Sequence, residues 1–92
     1  MMRLDLFLKT SRLIPRRSLA QELCDAGRIS VNGTVAKSSK EIKAGDAIEI
    51  RRHERITKIV VSTVPASKQV SKQSAGELYS LVSEEPVDDG LF

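Results

Sequence analysis

The side chains of this sequence that could do chemistry are its cations. Arg3, Arg12, Arg16 and Arg17 crowd the start of the chain, Arg28 follows, and Lys37 and Lys40 come a few positions later. Guanidinium and ammonium groups that project from rigid elements onto one surface bind phosphates, and a nucleic-acid backbone is the usual source of such phosphates. The competing reading of the same residues is a solvated charged face. The other chemically capable residues point away from catalysis. Cys24 and His53 are the only thiol and the only imidazole, and they fall on different elements. No glycine-rich phosphate loop, GxSxG or HExxH occurs. One cysteine forms no internal disulfide, and with one histidine it makes none of the usual zinc clusters. Neither an enzyme nor a cofactor or metal is therefore expected.

The chain has 92 residues, of which 40% are hydrophobic. That is enough for one small domain with a small core. No apolar run approaches the roughly 20 residues of a membrane span. Asp5 and Lys9 fall where a signal peptide needs an apolar stretch, so the expected compartment is the cytosol, away from membranes. Charge is uneven. Residues 1–58 carry 13 basic and 7 acidic side chains, a net +6, and residues 59–92 carry 2 and 5, a net −3. A basic body thus precedes an acidic tail, and the asymmetry says more than the total of +3.

The elements that must position these cations follow from apolar spacing. Leu4, Phe7 and Leu8 predict a short first helix, with Arg3, Asp5 and Lys9 between them and exposed. Pro15 suits the first turn of a second helix, where its missing N–H would be unpaired anyway. Leu19, Leu23 and Ala26 mark the inward face of that helix, and Gly27 its stop. Arg16 and Arg17 sit at the helix start, where the macrodipole disfavours a cation by ~0.3–1 kcal/mol each and an anion partner would offset the cost. From Ile29 the period is two. Ile29 and Val31 lie on one strand, Asn32-Gly33 forms a tight hairpin turn, and Thr34-Val35-Ala36 returns. Lys37–Lys40 is a polar loop and Ala44-Gly45-Asp46 a turn. Ala47–Arg52 is a strand with Ile48 and Ile50 inward. His53-Glu54-Arg55 is a turn, and Ile56–Val64 a last strand. Residues 65–74 read as a linker. Ser74 and Glu77 fit a capping box for a short helix over 75–85, with Leu78, Leu81 and Val82 inward. Residues 86–92 form a disordered acidic tail. The expected fold is α+β, with a domain over 1–64.

Four blocks within this framework resemble the S4 RNA-binding domain: Arg3–Leu8 (RLDLFL), Arg16–Leu23 (RRSLAQEL), Gly27–Gly33 (GRISVNG) and Lys43–Asp46 (KAGD). They occur in order at family-like spacing over roughly residues 3–50. The second block departs from the family pattern, with Arg17-Ser18 where many members have Ser-Arg. The resemblance implies two short helices packed on a small, mostly antiparallel twisted sheet (the αL motif). It also implies a binding function without chemistry of its own.

With no room for a catalytic partner domain, the chain is similar to stand-alone members. Its short tail, with Ala75, Tyr79 and Leu81, resembles the ribosome-associated quality-control group RqcP. That likeness implies contacts with rRNA and peptidyl-tRNA on obstructed large (50S) subunits, and support of C-terminal alanine tailing by an RqcH-type elongation partner. A second stand-alone group, the heat-shock fifteen-kilodalton proteins, implies recycling of subunits with blocked chains. Two further readings are a protein-interaction module using the Leu78-Tyr79-Leu81 helix, and a fragment or partner of a nucleotide-modifying enzyme. The default state off the ribosome is a monomer.

Arg3 and Arg17 lead the expected RNA contacts. Arg12, Arg16 and Arg28 come next, then Lys37 and Lys40. Asp5 is expected to orient Arg3 or an arginine of the second helix. Phe7 and Cys24 read as core residues. With Phe7, Tyr79 and Phe92 the only aromatics, base stacking on single strands is a poor model, and structured RNA the better one.

Overall fold

The computed structural model describes residues 2–52, 55–65 and 76–86. A two-residue strand, β1 (Met2–Arg3), leads directly into helix α1 (Leu4–Thr10), and α2 (Arg17–Asp25) packs against it. Six strands follow: β2 (Ile29–Val31), β3 (Thr34–Val35), β4 (Glu41–Ile42), β5 (Ala47–Arg52), β6 (Arg55–Val61) and β7 (Tyr79–Pro86). They form an antiparallel five-stranded sheet in the order β3-β2-β5-β6-β7, while β1 pairs with β4 in a small ladder of its own. The fold is α+β, with two short helices and a small antiparallel sheet.

The first helix buries Leu4, Phe7 and Leu8 as their spacing requires, and Ile14, Ala20, Cys24, Ile29, Val31, Ile42, Ile48, Ile50, Ile59, Val61 and Leu78 are among the residues that join them in the core. Two expectations about the helices are corrected. Asp5 is fully buried rather than exposed, because α2 supplies donors to its carboxylate. The inward face of α2 is Ala20 and Cys24. Leu19 and Leu23 are half-buried at its margin and Ala26 is exposed. The helix also begins at Arg17, so Pro15 precedes the first turn instead of lying in it. Small residues at 20 and 24 let α2 approach the rest of the core closely, and its leucines flank the contact.

The turns obey their residues. Asn32 (φ 53°) and Gly33 (φ 86°) both take the left-handed conformation of a two-residue hairpin, with Val31 opposite Thr34. Strand β5 has the expected limits, with Ile48 and Ile50 inward. Strand β6 ends at Val61, earlier than expected. His53 and Glu54 lie outside the described residues, as do the expected linker positions 66–74 and the tail positions 87–92.

The short C-terminal helix is the main correction: Tyr79–Pro86 is a strand, the outermost of the sheet, antiparallel to β6. Ile59 faces Leu81 and Lys58 faces Ser83, so Val82 is an extra residue inserted as a bulge. The bulge breaks the two-residue period, and Leu78, Leu81 and Val82 then mimic helical spacing. Gly76 is a poor helix former, whereas Tyr79 and Val82 favour a strand, and β6 would otherwise leave an edge of unpaired backbone groups. Leu81 and Val82 are not inward; they are 58% and 61% exposed.

Two substitutions separate these readings in urea unfolding. Phe7→Ala should lower stability by about 3–5 kcal/mol, as for a fully buried aromatic. Leu81→Ser should change it by no more than about 0.5 kcal/mol, as for an exposed strand position.

Candidate nucleic-acid interface

The basic corner is built around the Asp5 carboxylate, which lies in the first turn of α1. Its Oδ1 accepts the Leu6 backbone N–H at 2.8 Å and lies 3.4 Å from Arg3 Nε. Its Oδ2 accepts Gln21 Nε2 at 2.8 Å and Arg17 Nε at 3.2 Å. Arg17 and Gln21 are four residues apart on α2, so they share a helix face and reach the same oxygen. Burial by itself would raise the Asp5 pKa. Gln21, Arg17 and the Leu6 N–H outweigh it and hold the carboxyl below the ordinary aspartate value.

Both arginines thus meet Asp5 through Nε while their side chains stay 47% (Arg3) and 40% (Arg17) exposed. The expected contacts of Asp5 with Arg3 and with an arginine of the second helix are both present. It also resolves the unfavourable placement of a cation at the start of α2, since the anion that offsets the macrodipole is part of the protein.

The other candidates are placed by the elements that carry them. Arg16 is the exposed N-cap of α2, next to Arg17. Arg12 is exposed in the α1–α2 corner at φ 64°, a conformation that costs a non-glycine residue about 1–2 kcal/mol. The 37–40 loop is strapped to the start of α1: the Leu4 N–H donates to the Lys40 carbonyl at 2.7 Å and the Asp5 N–H to the Ser38 carbonyl at 3.2 Å. Exposed Lys37 and Lys40 therefore ride on a loop that abuts Arg3. They also help line an open groove of about 500 Å³ together with Val35, Ala36 and Ser39.

Arg28 follows the far end of α2, with its backbone engaged by Leu23 and Arg51, and the structure does not gather it into the cluster. Gln21 was not among the residues expected at the site. Its sequence signal is the four-residue spacing from Arg17, legible once Asp5 is known to be buried.

Asn32, in the third family-like block, has a structural role. Its amide donates to Asp46 Oδ1 at 3.2 Å and accepts the Ala47 N–H at 3.0 Å, while Asp46 Oδ2 accepts the Lys43 N–H at 2.9 Å. The two turns are clasped together by side chains. Among the described residues, no His, Cys, Asp and Glu side chains gather as metal ligands would, and no helix is long and apolar enough to cross a membrane.

The arrangement matches a known domain. The S4 domain model matches residues 2–48, and the chain belongs to the S4 domain family. Within that family it is similar over nearly its full length to a set of short relatives. It is 46% identical over 86 residues to the RQC P-site tRNA stabilizing factor of Halalkalibacterium halodurans, covering 94% of this chain and 96% of that one. The protein of the same name in Bacillus subtilis is 41% identical over 88 residues, covering 96% and 100%. Among solved structures, the trimeric heat shock protein 15 of Vibrio cholerae superposes with a TM-score of 0.79 at 30% identity, covering 89% of this chain and 82% of that one.

Two measurements check the electrostatics. Because its folded pKa is lowered, Asp5 contributes stability fully above about pH 4, where the unfolded carboxyl is ionised. That contribution is lost as pH falls through the lower folded value. Thermal melts across this range should show a steeper acid decline for the wild type than for Asp5→Asn. Burial, with the negative charges of Asp5 and Asp25, pushes the Cys24 thiol up to about 11. A thiol reagent at neutral pH should therefore modify Cys24 only after denaturant is added.

Proposed function

We propose that the chain is a non-catalytic RNA-binding factor of ribosome-associated quality control, and that it stabilises P-site tRNA on obstructed large subunits. The observation that carries this reading is the near full-length similarity to RQC P-site tRNA stabilizing factors, on a fold that leaves Arg3 and Arg17 exposed over a common anion. In this reading Arg3, Arg17, Arg16, Arg12, Lys37 and Lys40 meet phosphates of rRNA and of the peptidyl-tRNA, and Arg28 makes a peripheral contact. The RNA is structured and is read through its shape and backbone. The protein supports alanine tailing by an RqcH-type elongation partner, works in the cytoplasm, and is a monomer off the ribosome.

The superposition on heat shock protein 15 favours one alternative, recycling of subunits that carry blocked chains. Deletion of the protein distinguishes the two readings. Loss of alanine tails supports the first. Unchanged tailing with accumulated obstructed subunits supports the second.

Co-sedimentation with ribosomal particles at low and high salt tests the RNA face. The wild type should travel with large subunits carrying peptidyl-tRNA, and a double reversal, Arg3→Glu with Arg17→Glu, should leave it at the top of the gradient. With ~4–6 phosphate contacts, log affinity should fall with log salt by roughly 0.7–0.9 per contact. A flat salt response would sink the proposal.

A further inference from the structure

We infer that Gln21 is a positioning residue of the RNA face: it anchors the Asp5 carboxylate so that Asp5 aligns Arg3 and Arg17 without consuming them. The inference rests on the reading of these arginines as phosphate ligands, and adds to it a residue that acts through Asp5.

The donors around Asp5 are unequal. The two short hydrogen bonds, both 2.8 Å, come from neutral groups, the Leu6 N–H on Oδ1 and Gln21 Nε2 on Oδ2. The two guanidiniums stand farther off, at 3.2 Å for Arg17 and 3.4 Å for Arg3. Each oxygen thus has one firm neutral partner and one looser cation. This division matters because Asp5 is fully buried. A buried carboxylate held by arginines alone would be left uncompensated whenever one of them turned toward a phosphate, and an uncompensated buried charge is strongly destabilising. With the Leu6 and Gln21 donors in place, a guanidinium can lean toward an RNA phosphate while Asp5 keeps a hydrogen bond on each oxygen.

Only a neutral donor serves at position 21. A cation there would compete with Arg17 for Oδ2, and a carboxylate would repel Asp5. Gln21 also shares its helix face with Arg17, so the anchor and the arginine it aligns move as one unit.

The test compares Gln21→Met, Gln21→Ala and Arg17→Ala in the full chain, binding purified 50S subunits that carry peptidyl-tRNA. Methionine matches glutamine in length and helix propensity and removes the donor. Gln21→Met should weaken binding about three- to tenfold. The slope of log affinity against log salt should stay near wild type, because both guanidiniums remain. The Arg17 Nε–H resonance should exchange faster with solvent, a signature that a merely structural role would not move. If Gln21→Met fails to fold, Gln21→Ala gives the same comparison.

Unchanged affinity in the Gln21 variants beside a clear loss in Arg17→Ala would remove the positioning role and leave the arginine face standing. No loss in Arg17→Ala would overturn that face, and the role of Gln21 with it.

Discussion

The basic corner of this protein depends on one carboxylate taken out of water. Asp5 lies in the first turn of α1, with no side-chain exposure, and its neighbours on β1, α1 and α2 are all donors. An ionised group there is tolerable only with its lone pairs occupied. That requirement brings three chain segments together at one point and fixes the side on which the arginines emerge. The same contact that lets α1 and α2 pack therefore defines the surface available to an anion. Fold and site share a single electrostatic constraint at this corner.

A second polar clasp, between Asn32 and Asp46, works on the opposite principle. It carries no exposed cation toward a ligand. Its hydrogen bonds hold the hairpin turn against the turn before β5, so that β2 and β5 keep their register. Two of the four family-like blocks are thus accounted for by turn chemistry and two by the carboxylate cluster. A sequence signature of one domain can mix residues that make a surface with residues that make the scaffold beneath it.

Much of this was legible in the residues, and the exceptions have physical causes. Leu4, Phe7 and Leu8, the Asn32-Gly33 turn and the alternation over Ala47–Arg52 are local signals, and they hold. Periodicity placed Asp5 on the wet side of α1, because the compensating donors lie on α2, 12 and 16 residues away. The role of Gln21 is hidden from the sequence for the same reason. The last strand carries a helix-like pattern because the bulge at Val82 disrupts alternation, and what decides its conformation is the ladder offered by β6. Pairing between distant strands leaves little trace in the sequence of either one. The clustering of Arg3 with Arg17 was anticipated from charge and motif, while the separation of Arg28 needed the length and direction of α2.

The order of the elements along the chain carries a consequence for how the protein comes into being. Every member of the Asp5 cluster lies within the first 21 residues, and β4, which pairs with Arg3, ends at Ile42. Strand β7, the acidic outer edge, begins at Tyr79. During synthesis from the N-terminus, the basic corner can close while the last strand has yet to be made. A nascent copy is thus cationic at this corner first, and gains its acidic flank only once β7 has been made.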